Sequence, residues 1–118
     1  YYFKGEFRLM DSIQDYQKWS RKTAIYPPKI AVQYTALGLA GEVGEICNEI
    51  KKVYRDDNGI ITEKRRANLV AEFGDVLWYL ARVTDELNID MLDVIERNVS
   101  KLEDRLARDV ISGSGGDR

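Results

Sequence analysis

The stretch "GLAGEVGEICNEIKK", residues 38–52, places three glycines and three glutamates inside what its apolar spacing otherwise marks as one helix. An interior glycine costs roughly 1 kcal/mol against alanine. Glutamates one turn apart repel each other by roughly a few tenths of a kcal/mol. A chain selected for stability alone avoids both. Two physical reasons remain for keeping them: something approaches the glycine backbone closely, and something positive sits between the carboxylates.

A second acidic stretch, "AEFGDVLWYLARV" (71–83), supplies the other half of the argument. Glu42 and Glu45 are three residues apart, as are Glu72 and Asp75, so each pair projects from one helical face. Five other helical acids have a base three or four residues away: Glu49 has Lys52, Glu63 has Arg66, Asp85 has Arg82, Asp93 has Arg97 and Asp104 has Arg108. Glu42, Glu45, Glu72 and Asp75 have none; their neighbours there are glycine, alanine, apolar or aromatic residues, Asn48, Asn68 or other acids. Antiparallel packing of the two helices brings these four carboxylates together, and such a group cannot stay ionised without cations. Oxygen ligands with no nitrogen or sulfur donor select Mg²⁺, with Mn²⁺ as a substitute. Gly41, Gly44 and Gly74 leave room beside the acids for a partner helix or a ligand. The competing reading, in which these are plain surface acids, predicts no cation binding.

Working outward, apolar or aromatic residues at Ile13, Tyr16, Trp19 and Thr23 predict a first helix over 11–24, ended by Pro27 and Pro28. The second helix is expected from Ile30 to Tyr54, with "DDNG" (56–59) as the turn. Thr62 is the expected N-cap of a third helix reaching Leu87, and Asp90 that of a fourth. The fourth carries Met91, Val94, Ile95, Leu102 and Leu106 on its inner face. No useful length alternates with period two. The expected fold is all-α, an antiparallel bundle of about four helices in one domain, residues 10–111. Residues 1–9 read as a vector-derived or non-native leader before Met10, and the glycine-rich residues 112–118 as a flexible tail.

Hydrophobic residues make up 44% and charged residues 32% of 118, which fits a globular chain. A net charge of −2 argues against a nucleic-acid polymer as partner, and the absence of a long apolar run against a membrane span. The single cysteine, Cys47, excludes an internal disulfide and suggests a cytoplasmic chain. Its register with Val43, Ile46 and Ile50 predicts a buried structural thiol. With no histidine, Ser-His-Asp triads, histidine zinc sites and Glu-x-x-His di-iron bundles all drop out.

On the fourth helix, Asn98, Lys101 and Arg105 share one face and can grip phosphate oxygens; the alternative is that Lys101 and Arg105 pair with local acids. Tyr16, Trp19, Tyr26 and Tyr34 offer aromatic faces for stacking on a base, or serve core packing. Trp78 and Tyr79 widen the apolar surface of the third helix beyond what one partner face needs, which predicts association of subunits.

These residues resemble a known family. "GLAGEVGEICNEIKK" followed by "AEFGDVLWYLARV" is similar to the Glu-x-x-Glu and Glu-x-x-Asp signature of the MazG-like all-α nucleoside triphosphate pyrophosphohydrolases. The resemblance runs from "DYQKWSRKTAIYP" (15–27) through "NVSKLEDR" (98–105) to "GSGGDR" (113–118). It implies Mg²⁺-dependent hydrolysis of an NTP or dNTP to the monophosphate and pyrophosphate, in a homodimer or dimer of dimers. It makes Glu42, Glu45, Glu72 and Asp75 metal ligands, and Lys101 and Arg105 phosphate contacts. Without histidine, Glu42 or Glu45 is the candidate general base. Two rivals remain: a phosphoribosyl-ATP-type pyrophosphohydrolase using the same site, and a non-enzymatic helical dimerisation or adaptor module.

Overall fold

The computed structural model describes residues 2–3, 7–8 and 12–113. Four helices carry the fold: α1 (Ile13–Ser20), α2 (Ala31–Asp56), α3 (Glu63–Glu86) and α4 (Met91–Ala107). Two-residue strands β1 (Tyr2–Phe3) and β2 (Phe7–Arg8) pair antiparallel in the segment set aside as a leader, a minimal hairpin that leaves the all-α class intact. The proposed start at Met10 and residues 114–118 of the expected tail lie outside the described residues.

Helix boundaries follow local chemistry. Ser12 caps α1, its Oγ accepting from Asp15 N at 3.2 Å, so the helix starts two residues later than the apolar spacing suggests. It ends at Ser20, and the chain tightens into a 3₁₀ turn over Arg21–Thr23. A second 3₁₀ turn, Pro28–Ile30, leads into α2. Thr62 caps α3, accepting from Arg65 N at 3.2 Å, and Asp90 caps α4, accepting from Leu92 N at 2.8 Å. Asn88, at φ 58°, closes α3 in the left-handed conformation, and Ile89 N returns to Thr84 O at 2.8 Å.

α2 and α3 form the central antiparallel pair. The direction shows in three cross-contacts: Glu49 meets Arg65 and Asn68, Glu42 meets Glu72 and Asp75, and Gly38 meets Tyr79. Residue numbers fall along one helix as they rise along the other. Their shared seam is Thr35, Leu39, Glu42, Ile46, Glu49 and Val53 against Arg65, Leu69, Glu72, Val76 and Tyr79, with Thr35 and Val53 almost wholly buried.

One residue further on, each helix carries a second stripe: Ala36, Ala40, Val43, Cys47, Ile50 and Tyr54 on α2, and Val70, Phe73, Leu77 and Leu80 on α3. In an antiparallel pair a step of one residue turns both helices toward the same side. That side is left uncovered: Val43 is 45% exposed, Val70 66% and Phe73 56%. Cys47 lies in this stripe and is exposed, which corrects the expectation of a buried thiol. The register with Val43 and Ile50 was right; what fails is the assumption that another helix of the chain covers it.

α1 packs on the opposite side of the pair. Trp78 Nε1 donates to Thr23 Oγ1 at 2.7 Å, and the fully buried Arg82 donates to Ser20 Oγ at 3.0 Å. The buried face of α1 is polar. Gln17 donates to Thr84 Oγ1 at 3.1 Å and Ile89 O at 2.8 Å, and accepts from Met91 N at 3.1 Å. Trp78 and Tyr79 are therefore half-buried within the chain, and the uncovered apolar patch of α3 consists of Val70, Phe73 and Leu80 instead. α4 packs against α1 and α3. Of its expected inner face only Met91 is buried; Val94, Ile95, Leu102 and Leu106 are exposed, because none of the described helices lies over the later turns.

Candidate metal centre

Midway along the α2–α3 seam, Glu42, Glu72 and Asp75 each offer a carboxylate oxygen, and these three atoms lie within 4.8 Å of one another. Glu42 and Glu72 occupy facing seam positions, while Asp75 stands one turn past Glu72 on the side toward α1. Crowding marks the site electrostatically. Burial pushes the Glu42 carboxyl above its ordinary range, and the charges of Asp75 and Glu72, a hydrogen bond with Glu72 and the charge of Glu45 push it further. Among the described residues no base forms a salt bridge with any of these acids. Glu45 is exposed, one turn beyond Glu42, and stands outside the three-oxygen group.

The other local acids behave differently. Asp93 pairs with Arg97 at 2.9 Å, Asp104 with Arg108 at 2.9 Å, and Asp85 with Arg82. Glu49 finds a partner across the seam rather than along its own helix: Arg65 at 3.1 Å, with Asn68 Nδ2 donating at 2.9 Å. These bonds hold its carboxyl below the ordinary range.

Aromatic residues ring the α1 side of the acids. Tyr16 is pushed above its ordinary range by burial and then by the charge of Asp75, and Trp19 stacks on it at 6.1 Å. Tyr34 stacks on Tyr26 at 5.5 Å. Tyr26 itself is consumed by packing: its hydroxyl meets Glu86, accepts from Arg82 Nε at 3.2 Å and is buried. Sequence spacing overlooked Tyr79. Burial pushes its hydroxyl up, with Tyr34, Glu42 and Asp75 adding to the shift. Its position one turn after Asp75, in the α3 seam, was the available signal.

The expected phosphate face divides. Asn98 and Lys101 are exposed, whereas Arg105 is only 5% exposed. Gly41, Gly44 and Gly74 have no atom within 4 Å of an added Cβ, so among the described residues nothing packs on them.

The donor set suits a hard divalent cation: oxygen only, three carboxylates and two opposed helices to hold them. The model for the MazG nucleotide pyrophosphohydrolase domain matches residues 31–108, more than half the chain and all of the acidic centre. The chain belongs to the MazG nucleotide pyrophosphohydrolase family. A protein of Mycobacterium phage L5 named "Gene 37 protein" is 43% identical over 109 residues, covering 87% of this chain and 96% of that one. No solved structure matches. Tyr16 and Trp19 precede the matched MazG domain, while Tyr34, the acids and the α4 residues lie inside it. No described helix is long and apolar enough to cross a membrane.

Proposed function

We propose that this MazG domain hydrolyses nucleoside or deoxynucleoside triphosphates to the monophosphate and pyrophosphate with Mg²⁺, or Mn²⁺ in its place, in nucleotide-pool housekeeping in the cytoplasm. The observation that carries this reading is the convergence of Glu42, Glu72 and Asp75 within 4.8 Å across two helices, with no base to neutralise them. These three hold the metal, with Glu45 at the edge. When bound, the metal supplies charge neutralisation for the triphosphate and a lowered pKa for an attacking water. Glu42 or Glu45 accepts the proton of that water, since the chain has no histidine to do so. Asn98 and Lys101, exposed on α4, serve the phosphates, whereas Arg105 is buried within the chain; Tyr16, Trp19 and Tyr34 stack on the base.

The reading extends to a homodimer, or a dimer of dimers. The uncovered stripe from Ala36 to Tyr54 and its counterpart from Val70 to Leu80 repeat the spacing by which α2 and α3 pack on each other, so a second copy is their natural cover. This face lies opposite the α1 side of the acids and leaves them accessible.

Calorimetric titration of Mg²⁺ and Mn²⁺, with and without a non-hydrolysable nucleotide, tests the metal. A panel of NTPs, dNTPs and phosphoribosyl-ATP tests the substrate class. Tight metal binding with turnover of phosphoribosyl-ATP alone shifts the reading to that specialised ester. No metal binding, together with tolerance of Glu→Gln changes, leaves a non-enzymatic dimerisation module.

A further inference from the structure

Gly38 stands one turn before Glu42 on α2, and Tyr79 one turn after Asp75 on α3. Because the helices are antiparallel, the two residues meet at the level next to the carboxylates. A Cβ added at Gly38 would lie 2.1 Å from Tyr79 Cε1 and 2.5 Å from both Cδ1 and Cζ, so the ring is pressed against the bare backbone of α2. Trp78 braces that ring edge-on at 4.9 Å and 89°. The contrast with the neighbouring glycines is sharp. Gly41, Gly44 and Gly74 have nothing within 4 Å, so among these helical glycines only Gly38 is demanded by a side chain of this chain.

We propose that Gly38 and Tyr79 are positioning residues: their contact sets the separation of α2 and α3, and thereby the bite of Glu42, Glu72 and Asp75 on a divalent cation. The proposal rests on the reading of the three carboxylates as a metal site. A methyl group at position 38 has to displace the ring or the helix by about 1.5 Å to reach ordinary van der Waals contact. The displacement falls one turn from the cluster, on the same seam. Mg²⁺ requires near-ideal geometry at roughly 2.0–2.1 Å, whereas Ca²⁺ accepts oxygens at roughly 2.3–2.6 Å in flexible arrangements. A reset gap therefore penalises Mg²⁺ more than Ca²⁺. General loss of packing has no reason to discriminate between the two ions.

The test is calorimetric titration of the full chain with Mg²⁺ alone and with Ca²⁺ alone, without nucleotide, with helicity followed by circular dichroism. For Gly38→Ala the Mg²⁺ affinity falls by roughly tenfold or more, the scale expected for residues that orient metal ligands, while Ca²⁺ affinity falls less. Adding Tyr79→Ala to Gly38→Ala removes the clash and recovers part of the Mg²⁺ affinity. Tyr79→Ala alone removes the spacer from the other side and also lowers the Mg²⁺-to-Ca²⁺ ratio, which keeps the test intact if Gly38→Ala fails to fold. Tyr79→Phe keeps the ring and the wild-type ratio. A wild-type ratio in both Gly38→Ala and Tyr79→Ala overturns the spacer while leaving the metal site standing. Absence of binding by the wild-type chain overturns the metal site itself and the spacer's purpose with it.

Discussion

Arg65 Nη1 lies 3.1 Å from Glu49 Oε1 across the α2–α3 seam, while Glu42, seven residues earlier on the same stripe, faces Glu72 and Asp75 instead of a base. The two glutamates consequently shift in opposite directions. Hydrogen bonds from Asn68 and Arg65 lower Glu49, whereas burial and neighbouring acids raise Glu42. One end of the seam is a finished ion pair, and the middle is a cluster of three carboxylates, the proposed cation site.

The pH dependence of metal-free stability follows from those directions. A raised folded-state pKa means that Glu42 holds its proton more tightly in the folded chain. Its contribution is fully present below the unfolded value of about 4.3 and is lost as pH rises through the folded value. Glu42→Gln is therefore expected to melt higher than wild type at neutral pH without metal, with the advantage vanishing in acid. Glu49 has the opposite sign: its stabilisation is present above about 4.3 and is lost as pH falls through its lowered folded value. Glu49→Gln is expected to melt lower than wild type at neutral pH and to converge with it in acid. Melting curves across this range, with chelator present, check both.

Metal reverses the ranking at position 42. Saturating Mg²⁺ at 100 times its Kd stabilises a binding-competent chain by about 2.7 kcal/mol. Wild type is expected to show this rise in melting temperature and Glu42→Gln to lose most of it. An equal shift in both chains contradicts a role for Glu42 as ligand.

Much of this was legible in the sequence. Thr62 and Asp90 announce their helices by capping chemistry, and three of the four acids singled out for lacking a nearby base, Glu42, Glu72 and Asp75, converge. The misses share a cause: helical spacing tells which residues share a face but not what lies over that face. Val43, Cys47 and Ile50 form a true apolar stripe, yet no described residue covers it. Gln17, not Tyr16 or Trp19, is the buried anchor of α1, because its amide satisfies polar groups on α3, α4 and the turn between them. Glu49 ignores Lys52 in favour of Arg65, a partner sixteen residues away that only the hairpin brings near. Gly38 looked no different from Gly41 and Gly44 until the ring of Tyr79 was placed against it.

The uncovered stripe yields a prediction about mass. Light scattering at micromolar concentration is expected to give at least twice the 13.6 kDa of one chain. Phe73→Asp, which places a charge in the middle of that face, is expected to yield the monomer. A monodisperse wild-type mass of one chain excludes this interface.

Arg82 ties α1 and its following turn to α3, since its buried guanidinium meets Ser20, Tyr26, Asp85 and Glu86. Arg82→Leu leaves Asp85 and Glu86 without this partner and is expected to cost about 3–5 kcal/mol, the scale for breaking a buried ion pair from one side. Denaturant unfolding measures it; a loss below about 1 kcal/mol would assign Arg82 the weight of a surface salt bridge.

The central claim is that Glu42, Glu72 and Asp75 hold the metal for cleavage between the α- and β-phosphates. The direct measurement is product analysis of a dNTP incubated with Mg²⁺ and wild type, Glu72→Gln or Asp75→Asn, with helicity checked by circular dichroism. The expected result is monophosphate and pyrophosphate in equal amounts from wild type, and loss of nearly all turnover in both variants at unchanged helicity. Near wild-type turnover in either variant, or release of orthophosphate and a diphosphate, would contradict the account.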